Sequence, residues 1–420
     1  MVPGHVPWPG MSQREEFFPC RVRECGCRVS AEAALLYVAF LWMIDVFPPK
    51  LRSLDVILSH DWLLGTRGAE RVLEVLCATF ENAPVYTLFY NPSVSGPQVT
   101  RHAVRTSLLQ RVPGIAARRG GRESVHRCFL PLFPFAVERF RLPEVDLVIS
   151  SSHCAAKGIR PTGRSKHLCY CLTPMRYAWL FYEEYFGTNP VKKALLAPVL
   201  AALRRWDRRS SQRVDRFVAI STCVRDRIRQ FYGRDADVIF PPVDTDRLTP
   251  GGNNAWSYDL IVSGLSPLKR IDLAVTVYNR TGVRLKIIGA GTLMERLRGM
   301  AKPNIEFLGW LGDDAVRELY RGCRMLVFPG VDDFGLAPVE AQACGRPVVA
   351  FAQGGALDTI VEGVTGVLFH EQTAESLSEA VEKCASMDWN RAAIRARAEY
   401  FGIDRFRREL AVSIERCMEQ

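Results

Sequence analysis

No stretch of this sequence stays apolar for long enough to cross a bilayer: the run at residues 33–44 has twelve residues, where a spanning helix needs about 20. Arginines precede that run as in a signal peptide, but Pro48-Pro49 follows it in place of a small-residue cleavage site. Residues 1–53 are therefore expected to be a poorly ordered extension, with a membrane-touching hairpin as the alternative. There is no low-complexity tract either, so disorder is not the default, and 420 residues with 48% hydrophobic and 24% charged suit two globular domains. The thirteen cysteines are odd in number and scattered through apolar runs, which excludes a disulfide framework and favours a reducing compartment. Cys20, Cys25 and Cys27 cluster without the C-x2-C spacing and partners of a zinc site. Nor is there a nucleic-acid motif, and the aromatics do not interleave with the arginines as a base-stacking groove requires.

What is present in excess is positive charge, unevenly placed. Of a net +10, residues 101–234 hold 26 Lys and Arg against 9 Asp and Glu, so the rest of the chain is net acidic. A basic half suits phospholipid headgroups or a pyrophosphate-bearing acceptor, and equally suits a plain solvated surface. Within it, Leu195, Leu196, Val199, Leu200, Leu203 and Trp206 can share one helical face flanked by Lys192, Lys193, Arg204, Arg205, Arg208 and Arg209. Such a helix can lie on an anionic membrane or pack on its own domain with a basic edge. Pro198 argues against its being continuous.

Strand and helix patterns alternate twice. The first series begins at Leu54 with LDVILS, passes through the loop at residues 63–69 into a helical run at 70–76, and has further strands at 84–89, 146–150, 167–171 and 216–220. Pro241-Pro242 through Asn254 reads as a linker. The second series has strands at 258–262, 284–288, 305–308, 325–328 and 347–351, with helices at 271–279, 294–300 and 315–322. Residues 389–417 read as helical with an interruption at Gly402. Alternation of this kind implies parallel sheets with helices on both faces, and ligands at the carboxyl ends of the strands.

The most chemically suggestive stretch is MLVFPGVDDFGLAPVEAQACGRPVVAFAQGGALDTI at 325–360. A strand stops at Pro329-Gly330, Asp332 follows in a loop, and Glu340 comes after seven intervening residues, inside a short helix. Pro338 suits the first turn of that helix, and Gly345 suits the left-handed residue that ends it. A helix start of this kind can hold an anion, with an acid on either side for a hydroxyl-bearing ligand.

Together with HDWLLGTRGAERVLEVL at 60–76, DLVISSSHCAAKG at 146–158, YCLTPMRYAW at 170–179, AISTCVRDRIRQFYGRDADVIFPPVDTDRL at 219–248 and VSGLSPLKRIDLAV at 262–275, this stretch resembles the family 4 retaining glycosyltransferases. The likeness is to the bacterial mannosyltransferase-like branch. It implies an α/β fold of the GT-B type, two Rossmann-like domains with parallel sheets facing across a cleft. Residues 54–243 would form an acceptor-side domain and 244–403 the domain that binds the nucleotide sugar, with residues 404–420 packing back on the first.

The resemblance implies transfer of a sugar, with GDP-mannose favoured as donor, to a lipid-linked or polysaccharide acceptor in cell-surface glycan assembly. The setting would be cytoplasmic, peripheral on the inner face of the plasma membrane. The nucleotide sugar is a substrate, and no cofactor or metal is expected. Asp332 would hold donor sugar hydroxyls and Glu340 the ribose. Lys269 and Arg270 would meet the diphosphate, as would Gly65, Thr66, Arg67 and Gly68 from the other side. The backbone of Phe334, Gly335 and Leu336 would reach sugar and phosphates, and Gly289 and Gly291 would lie near the base. Arg176 and Tyr177 would stand at the cleft edge.

Three positions depart from the family pattern. Asp332 replaces the usual Glu, Gly264 replaces an Arg, and Leu172 stands where relatives place a His beside the reacting sugar. A lost charge-assisted hydrogen bond to phosphate costs roughly 1.5–3 kcal/mol. Arg67 is the expected substitute for the Arg lost at Gly264, and His60 for the His lost at Leu172. The departures leave two other readings open, a catalytically weak sugar-nucleotide or glycan-binding partner of a polysaccharide assembly complex, and a sugar-nucleotide epimerase.

Overall fold

Among the described residues, thirteen strands fall into two sheets, and both are parallel throughout. The computed structural model describes residues 46–65, 68–116, 125–180, 189–252 and 257–419. The first sheet contains β1 (Val56–His60), β2 (Val85–Thr87), β3 (Val104–Thr106), β4 (Leu147–Ser152), β5 (Lys166–Cys171), β6 (Arg216–Ala219) and β7 (Asp237–Val238), in the order β3-β2-β1-β4-β5-β6-β7. The second contains β8 (Asp259–Val262), β9 (Leu285–Ile288), β10 (Ile305–Gly309), β11 (Leu326–Phe328), β12 (Val348–Phe351) and β13 (Gly366–Phe369), in the order β10-β9-β8-β11-β12-β13. Each series starts in the middle, runs to one edge and returns to fill the other. The reversals fall between β1 and β4 and between β8 and β11, and it is outside such switch points that doubly wound sheets bind ligands.

The apolar runs become strands because both faces of each sheet are covered. In β1, Val56 and Leu58 join one core cluster while Ile57 joins another, and Leu147 and Ile149 part from Val148 in the same way. That leaves no exposed face to impose polar alternation. The cluster on one face of the first sheet continues to Leu260, Leu326 and Val348 of the second, so the two halves share apolar contact.

The chain crosses between the halves twice. Val243 N–H donates to the Phe401 carbonyl at 2.9 Å where the two crossings run side by side. Beyond them the helix Ile403–Met418 lies on the first sheet, with Phe406 edge-on to Tyr170 at 5.6 Å and the Ser413 hydroxyl donating to Asp237 at 3.0 Å.

The helix Pro190–Ser211 is continuous, contrary to the break expected at Pro198. Proline removes the bond to the carbonyl of Ala194, and both residues are exposed, so water can take its place. Leu200 and Leu203 are buried, whereas Leu195 is 72% exposed and stands outside the apolar face assigned to it. The far end is anchored by the buried Lys157–Asp207 ion pair, and Trp179 Nε1 and the Tyr232 hydroxyl donate to the other Asp207 oxygen at 2.7 Å each. Among the described residues, no helix is long and apolar enough to cross a membrane.

Candidate active site

The loops that follow β8 and β11 leave the second sheet side by side at its switch point, since Leu326 pairs with Leu260. Lys269 ends the single turn Pro267–Lys269, and its Nζ donates to Asp332 Oδ2 at 2.5 Å. The other oxygen, Oδ1, accepts the Asp333 N–H at 3.1 Å. Both Lys269 and Asp332 keep part of their side chains in solvent, 19% and 33%, so a ligand can reach them.

Arg270 is the one non-glycine residue with positive φ (47°) among those described. Such a conformation is rare and is held by its surroundings. Here the guanidinium donates to Asp272 at 3.3 Å and to Gln372 Oε1 at 3.2 Å, and Gln372 Nε2 donates to the Pro329 carbonyl at 3.1 Å. Arg270 thus ties the Lys269 turn to the loop carrying Asp332.

Gly289 and Gly291 have a packing reason to be glycine: a Cβ would come 1.8 Å from the Ser263 carbonyl oxygen and 2.2 Å from that of Leu265. The loop after β9 therefore lies directly on the loop after β8. Gly264, in that same loop, has open space where its Cβ would be.

The helix Leu336–Ala343 starts from the left-handed Gly335 (φ 84°) without a side-chain cap, and Gly345 beyond its end is left-handed too (φ 72°). Phe334 is 3% exposed, with Phe240 and Phe401 at 5.8 and 5.7 Å. Its ring fastens the helix start to the crossings. Glu340 is 8% exposed. Its Oε1 accepts from Arg71 at 3.0 Å and its Oε2 from the Tyr320 hydroxyl at 2.8 Å. Burial first, and then the Glu340 charge, push the Tyr320 pKa far up, so the phenol stays a donor.

Arg71 belongs to the helix Gly68–Thr79 of the first half, whose start abuts the second: a Cβ on Gly68 would come 2.9 Å from Leu336 Cδ1. Gly65 is buried at the end of the loop after β1, and Thr66 and Arg67 lie outside the described residues.

Three more carboxylates of the second half meet the first half or the linker. Asp313 accepts from Arg71 at 3.0 Å and lies 3.5 Å from Arg247. Asp358 takes the Thr222 N–H at 2.9 Å and the Thr222 hydroxyl at 2.8 Å, at the start of the helix Thr222–Tyr232. Asp333, 5% exposed, is bonded to Arg176 at 2.5 Å and to Arg227. Burial alone would raise the Asp333 pKa, but the two guanidiniums outweigh it and hold the carboxyl below the usual range.

At the switch point of the first sheet, Asp61 follows β1 and is fully buried. Its two oxygens accept the N–H groups of His153, Cys154, Ala155 and Ala156 at 2.5–2.9 Å, which pins the loop after β4 to β1. His153 Nδ1 lies 3.0 Å from Asp61 Oδ2, and the Trp62 ring meets the imidazole edge-on at 4.5 Å. Burial works to raise the Asp61 pKa. The nearness of His153, with its ring and backbone N–H, reverses this and holds Asp61 ionised.

One expectation for this half needs correction. His60 is 1% exposed and enclosed beneath Asp61, with a pKa that burial, and then His153, lower to about 4, so it does not line the cleft. Leu172 is 7% exposed, directly after β5. The imidazole at the carboxyl end of this sheet belongs to His153, with 19% of its side chain exposed. Arg71, Tyr320, Asp333, Arg227 and His153 escaped the sequence reading as site residues. Only His153 carried a signal, its place directly after a strand.

Residues 66–247 match the model described as Glycosyltransferase Family 4, and residues 258–400 match that described as Glycosyl transferases group 1. The chain is 27% identical over 172 residues to an uncharacterized glycosyltransferase of Methanocaldococcus jannaschii, covering 40% of this chain and 48% of that one. It is 28% identical over 215 residues to the D-inositol 3-phosphate glycosyltransferase of Rhodococcus erythropolis, covering 44% and 49%. The chain thus spans about half the length of these curated relatives. Among solved structures, HepE of Anabaena in complex with UDP and glucose matches with a TM-score of 0.61 at 17% identity, over 86% of this chain and 99% of that one. Sucrose-phosphate synthase of Thermosynechococcus elongatus matches at 0.58 with 15% identity, over 87% and 97%. With its two parallel sheets in the doubly wound order, the chain belongs to the family 4 glycosyltransferases of the GT-B fold.

Proposed function

We propose that the protein is a retaining glycosyltransferase that takes its sugar from a nucleotide sugar bound in the second half. The observation that carries this reading is the pair of acids, Asp332 and Glu340, set on either side of an uncapped helix start beside Lys269. HepE was solved with UDP and glucose, which makes a nucleotide sugar the natural ligand for the same fold here. Asp332 and Glu340 already accept from protein groups, yet a carboxylate has about four lone-pair sites. Each therefore has room for a sugar or ribose hydroxyl.

Lys269 and the helix start would meet the charge that develops on the departing nucleoside diphosphate, a task for groups fixed before the reaction. The loop of Gly289 and Gly291 would lie near the base. His153, oriented by Asp61, would serve at the sugar or acceptor hydroxyl in place of an imidazole at position 172. No cofactor or metal is invoked. Among donors GDP-mannose is favoured by the likeness to the mannosyltransferase branch, and UDP-sugars are the competing class.

For the acceptor, a lipid-linked saccharide at an anionic membrane, on the cytoplasmic face, fits the first half. Val191 (67%) and Leu195 (72%) are exposed beside Lys193 on the helix Pro190–Ser211, and Arg204 and Arg205 follow. Salt should release the protein from anionic vesicles.

The test is release of nucleoside diphosphate from GDP-mannose or a UDP-sugar. Release that depends on a supplied acceptor is expected. Sugar-donor binding without turnover on any acceptor would make the chain a binding partner, and isomerisation of the donor alone would make it an epimerase.

A further inference from the structure

The reading above gives Asp333 no task, yet it is the buried meeting point of the two halves. Arg176 opens the turn Arg176–Trp179 after β5, and Arg227 lies in the helix Thr222–Tyr232 after β6. Arg176 donates to Asp333 Oδ2, and Arg227 to Oδ1 and to Thr173 Oγ1 at 3.4 Å. The peptide of Asp333 is also engaged. Its carbonyl accepts from Cys223 Sγ at 3.4 Å, and its N–H donates to Asp332 Oδ1.

Behind this loop the backbone is pressed close: a Cβ on Gly355 would come 2.2 Å from Phe334, and Gly355 N–H donates to the Asp332 carbonyl at 2.9 Å. The loop therefore has little freedom to adjust residue by residue. A pull on the Asp333 carboxylate is passed to its peptide, and the peptide sets Asp332. Arg71–Asp313, by contrast, is an exposed contact with 60% of the aspartate side chain in solvent, and such pairs contribute little. A carboxylate buried between two guanidiniums from separate elements is costly unless all three are in place. That makes it sensitive to whether the halves are together.

We propose that Asp333 is a positioning residue: closure of the cleft seats Arg176 and Arg227 on its carboxylate, and its peptide N–H then fixes Asp332 for the donor sugar, so that transfer proceeds only in the closed molecule. This rests on the reading of Asp332 as the sugar-holding acid. Closure linked in this way would exclude water until the acceptor is in place.

The experiment uses the full chain with Asp333→Asn, Arg227→Gln and the double variant. The readouts are kcat for transfer, the share of donor hydrolysed instead of transferred, the donor Kd by calorimetry, and the radius of gyration in solution. Asp333→Asn is expected to lower kcat about 100-fold, the scale of a misplaced positioning group. Donor Kd should change little, the hydrolysed share should rise, and the radius of gyration with donor should increase. Arg227→Gln should act in the same direction, and the double variant should be no worse than the worse single one, because both break one unit.

A kcat within about twofold of the parent for Asp333→Asn, or losses that multiply in the double variant, would overturn the proposal. If Asp333→Asn does not fold, Arg227→Gln and Arg176→Gln carry the same readouts. If the parent transfers no sugar to any acceptor, the functional reading fails by itself. The scattering arm then decides the clasp: a larger radius in Asp333→Asn and Arg227→Gln supports it, and unchanged radii in both refute it.

Discussion

The two halves share one strand order and differ in the charge they bring to the seam. The second half presents carboxylates, Asp313, Asp333, Glu340 and Asp358, and the first answers with Arg71, Arg176, Arg227 and the helix start at Thr222. The first half also buries His60, His126 and His167, whereas His370 of the second is exposed. A doubly wound sheet supplies a switch point and leaves the chemistry to the loops that cross it. Here one switch point sets Asp332 against Lys269, and the other sets Asp61 against His153 and four peptide N–H groups.

That contrast can be broken first by acid. Burial, before any charge effect, lowers the His60 pKa to about 4 and that of His167 to about 3, against the ordinary 6.5. Between those values the unfolded chain binds more protons than the folded one, so stability falls as the pH drops below 6.5. The loss amounts to roughly 3 kcal/mol from His60 by pH 4 and about 5 kcal/mol from His167 by pH 3. Hydrogen exchange should show β1, β4 and β5 losing protection at a higher pH than β8, β11 and β12. Equal loss in both sheets would mean that the histidines do not set acid stability.

Smaller effects sharpen the chemistry of the second half. Lys269→Ala is expected to lower acceptor-dependent turnover by about 10²–10³, the scale for one fixed group facing developing charge. Turnover within about tenfold of the parent would move the diphosphate elsewhere. Gly264→Arg has open space for its Cβ. It should tighten nucleotide-sugar binding by about tenfold if a guanidinium there reaches phosphate. Calorimetry checks this, and no gain would mean that other cations already fill the role. The smallest effect belongs to the first half: Leu195→Asp should weaken sedimentation with anionic vesicles at low salt while changing stability by about 0.5 kcal/mol or less.

Much of the scaffold was legible because its strands are apolar on both faces and its glycines and prolines mark the loops. The edge strands were not. β3 is three residues with Arg105 exposed, and β7 is two half-buried residues, so neither has a pattern to read. The continuity of Pro190–Ser211 through Pro198 was missed because water can replace the lost hydrogen bond, and local propensity cannot show that.

At the site, Asp332, Glu340 and Lys269 stood out through spacing within a single stretch or between neighbouring loops. Their partners did not. Arg71 is 269 residues from Glu340, and Arg227 is 106 residues from Asp333. Pairings at that separation leave no local trace in one sequence. The histidine was misplaced for a related reason. His60 ends β1 and His153 follows β4, and burial alone separates the enclosed imidazole from the accessible one.

The most direct measurement is acceptor-dependent release of nucleoside diphosphate by Glu340→Ala beside the parent, with thermal melting to show that both are folded. The expected result is release by the parent and none by the variant, because Glu340 is the acid assigned to the ribose. Turnover near the parent level in a folded Glu340→Ala protein would contradict the placement of the sugar donor in the second half.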